Sequence, residues 1–99
     1  MLLIREVMYC KPGKVRPMVE KFQAMAKLME KKGMGKMRIL TDVSAERYWT
    51  LVSEMEVPSL EAFMSMGQDG ADMKEFDQIM KGYHDLVESG KREIYTIEA

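Results

Sequence analysis

The stretch "KMRILTDVSAERYWTLVSEMEV", residues 36–57, holds two β-prone segments with only three residues between them. "KMRILTDV" predicts one strand over residues 36–43, and "RYWTLVSEMEV" predicts the next over 47–57, because both are rich in β-branched, aromatic and other apolar residues. The "SAE" connection, Ser44 to Glu46, has the length of a hairpin loop. These two strands are therefore expected to be antiparallel neighbours.

A strand and a helix precede this pair. "LLIREVMYC", residues 2–10, is β-rich and mostly apolar on both alternating sets, and the "KPGK" turn ends it. From about residue 14 to residue 32 the apolar residues recur at helical spacing, with Pro17 in the first turn. The glycines of "KKGMGK" are expected to end this helix.

A helical region and a strand follow the pair. "VPSLEAFMSM" predicts a short helix with Ser59 as its N-cap, and the glycines of "GQDGAD" (67–72) interrupt it. A longer helix is predicted over 71–88, with Gly90 as its left-handed C-terminal cap, before a last strand in "KREIYTIE". The order β-α-β-β-α-β is that of ferredoxin-like folds. We therefore predict an α+β fold with a four-stranded antiparallel sheet and helices on one face.

Length and charge limit the class of protein. The chain has 99 residues, which fits a single domain over 1–99. Its net charge is -1, with 15 basic and 16 acidic residues interleaved, so no basic stripe is available for nucleic acid. The first ten residues are too short and too charged for a signal peptide or a membrane span. One cysteine, Cys10, lies in an apolar run, which indicates a buried thiol and a reducing, cytoplasmic setting.

The strands predict a second copy of the chain as a partner. Two helices cover only one face of a four-stranded sheet, and an exposed second face would require clean alternation of apolar and polar residues. The third strand instead carries Trp49 and Leu51 on one set and Tyr48 and Val52 on the other. Exposed together, such side chains exceed the apolar patch usual on a monomer. We therefore expect a homodimer that packs through the open sheet face.

Three short motifs resemble a known family. "KPGK" after the first strand, "SLEAF" at the start of the second helical region and "ESGKREIY" before the last strand resemble the NIPSNAP family. That family belongs to the dimeric α/β-barrel group, with EthD-type proteins and antibiotic-biosynthesis monooxygenases. The resemblance implies two sheets packed into a barrel, with a small pocket in each subunit between sheet and helices. It implies no settled reaction.

His84, the only histidine, is the candidate catalytic residue. On the predicted helix it lies at the rim of the apolar face, where it can act as a base or pair with Glu88. Residues with a ring and a polar group, together with one charged strand residue, are expected to line the pocket: Trp49, Tyr83, Tyr9, Tyr95 and Arg5.

Arg5 and Glu6 lie on opposite faces of the first strand, so two placements stay open. Either one of them forms an ion pair at the dimer seam, or one lines the pocket. Relatives in the barrel group that oxidise aromatic compounds or open haem often use Trp, Asn and His. Trp49 and His84 are available, but the chain has no asparagine, so the haem-degrading arrangement is not carried over whole.

Twelve methionines form a further feature of the composition. Several stand at core spacing in the two long helices, and a flexible thioether makes an adjustable pocket wall for an apolar ligand. Thioethers also suit copper(I), but the adjustable pocket wall is the better interpretation. No metal site and no cofactor are predicted. The chain has a single histidine, and no cluster of cysteines or carboxylates stands near it in the sequence to complete a set of metal ligands.

The prediction is a small-molecule-binding homodimer with an apolar pocket between sheet and helices. Two alternatives stay open. One is a cofactor-independent monooxygenase or isomerase-like enzyme acting on a small aromatic substrate, with His84 as base and Trp49 or a tyrosine orienting the substrate. The other is a structural or interaction dimer with a filled interior. A cavity of about 300 Å³ or more that touches His84 and an aromatic strand residue would favour binding or catalysis.

Overall fold

Strands and helices alternate in the order that the sequence predicts. The computed structural model describes residues 1–66 and 70–99, with side chains from residue 74 onward in the second range. Its strands are β1 (Leu2–Cys10), β2 (Met37–Thr41), β3 (Thr50–Val57) and β4 (Val87–Thr96). Its helices are α1 (Val15–Lys31), α2 (Leu60–Ser65) and α3 (Gly70–Ile79), and one turn of 3₁₀ helix, Tyr83–Asp85, precedes β4. The predicted interruption at 67–72 lies partly outside the described residues, which omit 67–69.

The four strands form one open antiparallel sheet in the order β2-β3-β1-β4. β1 lies in the middle and pairs with β3 on one side and β4 on the other. The sheet with its helices confirms the predicted ferredoxin-like fold. Side chains alternate between the two sheet faces, so the register decides which of them meet on each face.

The core lies between α1 and the sheet. Ile4, Met18 and Leu51 are fully buried there, and each such side chain contributes roughly 1.5–3 kcal/mol by leaving water. α1 supplies Met18, Val19, Phe22 and Met29 at the helical spacing that predicted it. Gly33 follows α1 with a φ of 71°, so a glycine ends the helix where the sequence places one.

The connection between β2 and β3 is longer than the predicted hairpin. It covers residues 42–49, because paired hydrogen bonds hold the two strand ends together at Asp42 and Thr50 instead of at Ser44 and Glu46. The Thr50 amide donates to an Asp42 carboxylate oxygen at 2.9 Å, and the Asp42 amide donates to the Thr50 carbonyl at 3.3 Å. Trp49, at a φ of 60°, is outside the strand in which it was predicted.

The predicted helix over 71–88 is wrong at its C-terminal half. α3 ends at Ile79, and Gly82 takes the left-handed conformation at a φ of 86°. Lys21 on α1 donates its Nζ to the Ile79 carbonyl at 3.3 Å, so a side chain from another helix caps α3. The chain then enters β4 early, because its backbone pairs with β1 from Val87 onward.

Gly90 is therefore a strand residue and not a helix cap. It pairs with Met8 of β1, and a Cβ at this position would come 3.1 Å from the Val7 carbonyl oxygen. Such a contact is tighter than ordinary packing, so the close approach of the two strands favours glycine here. The same glycine that suggests a helix end in the sequence instead permits close strand pairing.

The sheet face opposite the helices carries charges, which corrects the expectation of an apolar surface. Arg5 on β1 lies between two carboxylates, 3.5 Å from Glu54 and 3.5 Å from Glu93. Arg38 on β2 also pairs with Glu54, which is only 7% exposed. The apolar side chains in the middle of this face, Val7 and Val52, are buried. Residues of the 42–49 connection lie beside them and line the same groove.

Candidate ligand-binding cavity

A cavity of about 470 Å³ lies between the helices and the covered face of the sheet. Nine of the eleven methionines whose side chains the structure describes line it, from the strands, from the helices and from the segments next to them: Met8, Met25, Met29, Met34, Met37, Met55, Met64, Met66 and Met80. Phe22, Phe63 and Phe76 complete most of the wall. The wall is therefore apolar, polarisable and made of side chains that change rotamer at little cost.

The helical and strand periods bring these residues together. Phe22, Met25 and Met29 stand three and four positions apart on α1, so they point in one direction. Met8 of β1 and Met55 of β3 belong to the alternating sets that face the helices. Phe63 on α2 and Phe76 on α3 pack on the core cluster around Met29 and Met55 from the other side.

A polar row crosses the apolar floor of the cavity. Ser53 of β3 is the register partner of Glu6 on β1, and Glu6 is the register partner of Arg92 on β4. Neighbouring strands lie about 4.8 Å apart, so the three side chains stand next to one another on one face. All three line the cavity, together with the apolar neighbours Ile4 and Met8 on β1 and Met55 on β3.

Glu6 and Arg92 form an ion pair at the outer part of this row. The Arg92 Nε donates to a Glu6 carboxylate oxygen at 2.7 Å, and the guanidinium lies over the Phe63 ring at 5.0 Å from its centre. The Arg92 side chain is 52% exposed and that of Glu6 is 33% exposed. Glu6 and Arg92 also line a second cleft, which runs along β4. This part of the polar row is therefore at the mouth of the cavity, on its β4 side.

Ser53 is at the inner part of the row. It is 4% exposed, and its hydroxyl makes no hydrogen bond to any residue in the ranges 1–66 and 74–99. Its hydroxyl oxygen is not sealed off from the cavity that the residue lines. The hydroxyl is therefore available to a bound molecule.

Tyr83 is the one aromatic residue predicted for the pocket that lines this cavity. The 3₁₀ turn that follows Gly82 holds it against the core. Burial raises the pKa of its phenol, and the carboxylate of Glu6 and, once it is ionised, the thiolate of Cys10 raise that pKa further. Tyr83 is therefore an uncharged hydroxyl at neutral pH, able to donate or accept a hydrogen bond.

His84 is next to Tyr83 but outside the cavity wall. It is exposed on the 3₁₀ turn, and its ring meets that of Tyr83 edge to face with the centres 5.3 Å apart. The rim position on a helix is wrong, because α3 ends before this residue. Glu88, its predicted partner, pairs instead with Arg47 at 3.3 Å. A catalytic role for His84 stays a prediction.

Three other predicted pocket residues lie on the opposite sheet face. Arg5, Tyr9 and Tyr95 line a groove of about 340 Å³ there, and the Arg47 guanidinium lies 4.3 Å from the centre of the Tyr9 ring. Trp49 lines a surface cleft beside the 42–49 connection. The structure thus separates the predicted set, and only Tyr83 reaches the methionine-lined cavity.

The sequence leaves open whether Arg5 or Glu6 lines the pocket, and the structure places Glu6 there. It lines the cavity, whereas Arg5 lies on the opposite face within an ion-pair cluster. Ser53 and Arg92 are cavity residues that sequence reasoning missed. On β1 and β3 the available signal was a polar residue, Glu6 or Ser53, in the middle of an otherwise largely apolar strand face. The face of β4 that carries Arg92 also holds Gly90 and Thr96 and gives no such signal, and alignment of the three residues requires the register.

Cys10 is buried, as its place in an apolar run predicts. Burial and the nearby carboxylate of Asp42 raise the pKa of its thiol. Within the described ranges, no three His, Cys, Asp or Glu side chains are grouped as metal ligands require. None of the helices in those ranges has the length and apolarity needed to cross a membrane.

No family model and no curated protein matches the sequence. Solved structures match along nearly the whole chain. An uncharacterised NIPSNAP domain protein from Burkholderia xenovorans superposes with a TM-score of 0.82 at 13% identity, over 100% of this chain and 96% of that one. A candidate antibiotic biosynthesis monooxygenase from Deinococcus radiodurans gives 0.73 at 10% identity, over 100% and 94%.

A third match is a dimeric protein of unknown function and ferredoxin-like fold from Bacteroides fragilis. It gives a TM-score of 0.69 at 14% identity, over 97% of this chain and 96% of that one. Identities this low establish the fold and leave activity open. The chain therefore has the ferredoxin-like fold of NIPSNAP domain proteins and of antibiotic biosynthesis monooxygenase-like proteins, and its structural neighbours confirm the predicted resemblance.

Proposed function

We propose that this chain binds a small, mostly apolar molecule in the methionine-lined cavity. The observation that carries the proposal is the composition of the wall: nine methionines surround a space of about 470 Å³, as an adjustable pocket wall for an apolar ligand requires. A volume of this size falls in the range of ligand pockets, about 300–1,000 Å³. Leaving so much apolar surface in contact with water is unfavourable, and a bound apolar molecule removes that cost.

Methionine also indicates how selective the wall is. Its unbranched side chain fits ligands of different shape by changing rotamer, so the wall supplies affinity through area and little discrimination by shape. Discrimination has to come from the few polar groups of the cavity. Within the described side chains these are Ser53, Glu6, Arg92 and Tyr83.

The experiment is a titration with phenylnaphthylamine, an uncharged dye that fluoresces in apolar surroundings. We expect saturable binding of one dye per chain. Ser53→Leu places an apolar side chain in the cavity, reduces its volume and is expected to weaken binding. Thr41→Leu is the matched control, because Thr41 has the same strand alternation on β2 but does not line the cavity. An unsaturable signal, or equal binding by Ser53→Leu, would contradict the proposal.

The predicted homodimer is a second part of the proposal. The face opposite the helices supports it, because Tyr95 and Leu40 are large side chains left 49% and 41% exposed beside a nearly buried carboxylate, Glu54. Two such faces related by a two-fold axis would close into the barrel that the resemblance implies. A structural neighbour is itself described as dimeric.

Light scattering tests the dimer at micromolar concentration. The expected mass is twice the 11.5 kDa of one chain. Tyr95→Glu is expected to lower it to that of one chain, whereas Tyr48→Glu, in the 42–49 connection, leaves it unchanged. A wild-type mass of one chain would refute the dimer without affecting the ligand proposal.

The enzyme alternative, a cofactor-independent monooxygenase or isomerase-like activity, stays a prediction. Tyr83 lines the cavity, and its ring contacts that of His84. Oxygen uptake and product formation by wild type and by His84→Gln, on a panel of phenols and quinols, test this prediction. Turnover by the wild type that is lost in His84→Gln would identify His84 as the catalytic base. Absence of turnover by the wild type would leave ligand binding as the function.

A further inference from the structure

We propose that the polar row of Ser53, Glu6 and Arg92 makes the cavity selective for amphipathic molecules with an uncharged hydroxyl head. This inference rests on the proposed function, since it names the ligand class of the same cavity. The apolar body of the ligand would lie against the methionines, and its hydroxyl would lie on the row.

The first observation is the hydroxyl of Ser53. It belongs to a residue that is 4% exposed, lines the cavity, and has no hydrogen-bond partner among residues 1–66 and 74–99. The hydroxyl oxygen itself is accessible from the cavity and not sealed within the protein. A ligand that brings a polar atom to the inner part of the row can bond to it there, in place of water and in an otherwise apolar cavity.

The second observation is the charge balance of the row. Glu6 and Arg92 neutralise each other at 2.7 Å, and the other wall residues with described side chains carry no charge. A carboxylate head would lie beside the Glu6 carboxylate, and an ammonium head would lie beside the Arg92 guanidinium. At the inner part of the row, beside Ser53, either would leave water for a site without a net countercharge, which is unfavourable. An uncharged head avoids this penalty.

The third observation is the pattern of donors and acceptors. One Glu6 oxygen accepts from Arg92, and the other makes no hydrogen bond to the described residues. Ser53 is directly opposite on the neighbouring strand. A hydroxyl held between them accepts from the serine and donates to the carboxylate, so both of its capacities are used. An ether or a ketone can only accept, and leaves the Glu6 oxygen without a donor.

The test compares decanol, decanoate and decylamine, which share one chain and differ in the head. Displacement of bound phenylnaphthylamine at neutral pH gives their affinities. We expect decanol to bind at least about tenfold more tightly than either charged analogue. Ser53→Ala should weaken decanol by about three- to tenfold, the effect of one hydrogen bond, and leave the dye unchanged.

Two charge variants should shift the head-group preference in opposite directions. Glu6→Gln leaves the Arg92 guanidinium unbalanced, so decanoate is expected to gain about tenfold and to overtake decylamine. Arg92→Gln leaves the Glu6 carboxylate unbalanced, so decylamine is expected to gain instead. Two exposed sites on α1 provide the matched controls, Glu20→Gln for Glu6→Gln and Arg16→Gln for Arg92→Gln, because each changes the net charge in the same direction as its partner variant and should alter no preference.

The outcomes separate this inference from the proposed function. If neither the dye nor any decyl compound binds, the proposed function fails and the inference fails with it. If the dye binds but decanoate or decylamine matches decanol, or the two charge variants leave the order unchanged, the inference alone is refuted. Tight decanol binding with the two opposite reversals supports both.

Discussion

Ser53→Leu is expected to stabilise the fold, which is unusual for a substitution at a site only 4% exposed. Most changes from a small to a large side chain in a packed core cost about 1–3 kcal/mol, because neighbours must move. Ser53 instead opens on about 470 Å³ of space lined by flexible methionines. The leucine therefore enters space that other atoms do not occupy.

The magnitude follows from two terms. Complete burial of a leucine side chain contributes about 1.5–3 kcal/mol, and fixing its rotamers costs about 0.5–1 kcal/mol. The serine hydroxyl that is lost has no hydrogen-bond partner among the described residues, so its removal breaks no bond within them. The expected gain is about 1–2 kcal/mol, or a rise in Tm of about 4–16 °C for a chain of this length.

Urea unfolding followed by circular dichroism measures the change, with Ser53→Ala and Thr50→Val as references. Ser53→Ala removes the hydroxyl without filling space, so we expect a change below about 0.5 kcal/mol. Thr50→Val removes a buried hydroxyl that donates to the Arg47 carbonyl at 2.7 Å, and should cost about 1 kcal/mol. Destabilisation of Ser53→Leu by more than about 1 kcal/mol would mean that side chains already fill the space.

Three further changes test other parts of the structure. Arg5→Ala leaves the nearly buried Glu54 carboxylate without one of its two cations. It should lower the free energy of unfolding in urea by about 1–3 kcal/mol. The exposed Arg16→Ala is the control, and an equal loss in both variants would contradict the argument. Burial raises the pKa of Cys10 above its ordinary value of 9.0. The unfolded thiol therefore ionises first, and the free energy of unfolding should fall as pH rises past about 9, less so in Cys10→Ala; an identical slope in both proteins would refute this. His84→Ala should change the free energy of unfolding by less than about 0.5 kcal/mol and leave dye affinity unaltered, and loss of dye binding would place His84 in the site.

The parts of the fold with strong local patterns were predictable from sequence. β1 has its predicted bounds, and α1 differs from its prediction by one residue at each end. In both, the apolar period and the turn glycines agree with the tertiary structure, so local and long-range preferences indicate the same answer. The order of elements then determined the sheet topology.

The helix predicted over 71–88 failed because its pattern is ambiguous. Met80, Tyr83 and Leu86 are three apart, and they pack on the core around Met8 although the chain there is not α-helical. A spacing of three fits a 3₁₀ turn as well as it fits a helix. Pairing of β4 with β1 decides between them, and that pairing joins residues far apart in sequence.

The candidate site was predictable only in its apolar part. The methionine wall follows from helical and strand spacing, which the sequence contains. The polar row does not, because Glu6 and Arg92 are 86 positions apart and meet only through the β1–β4 register. The aromatic residues predicted for the pocket were chosen by type, and Tyr9 and Tyr95 lie on the opposite face.

Methyl-labelled methionine reports most directly on the central claim, that a small apolar molecule binds inside the methionine wall. With carbon-13 in each methionine methyl group, phenylnaphthylamine should shift the signals of the nine cavity methionines saturably, with one affinity. Met1 and Met18 do not line the cavity and should keep their positions. Shifts at Met1 equal to those of the cavity methyls, or no shifts at saturating dye, would contradict the account.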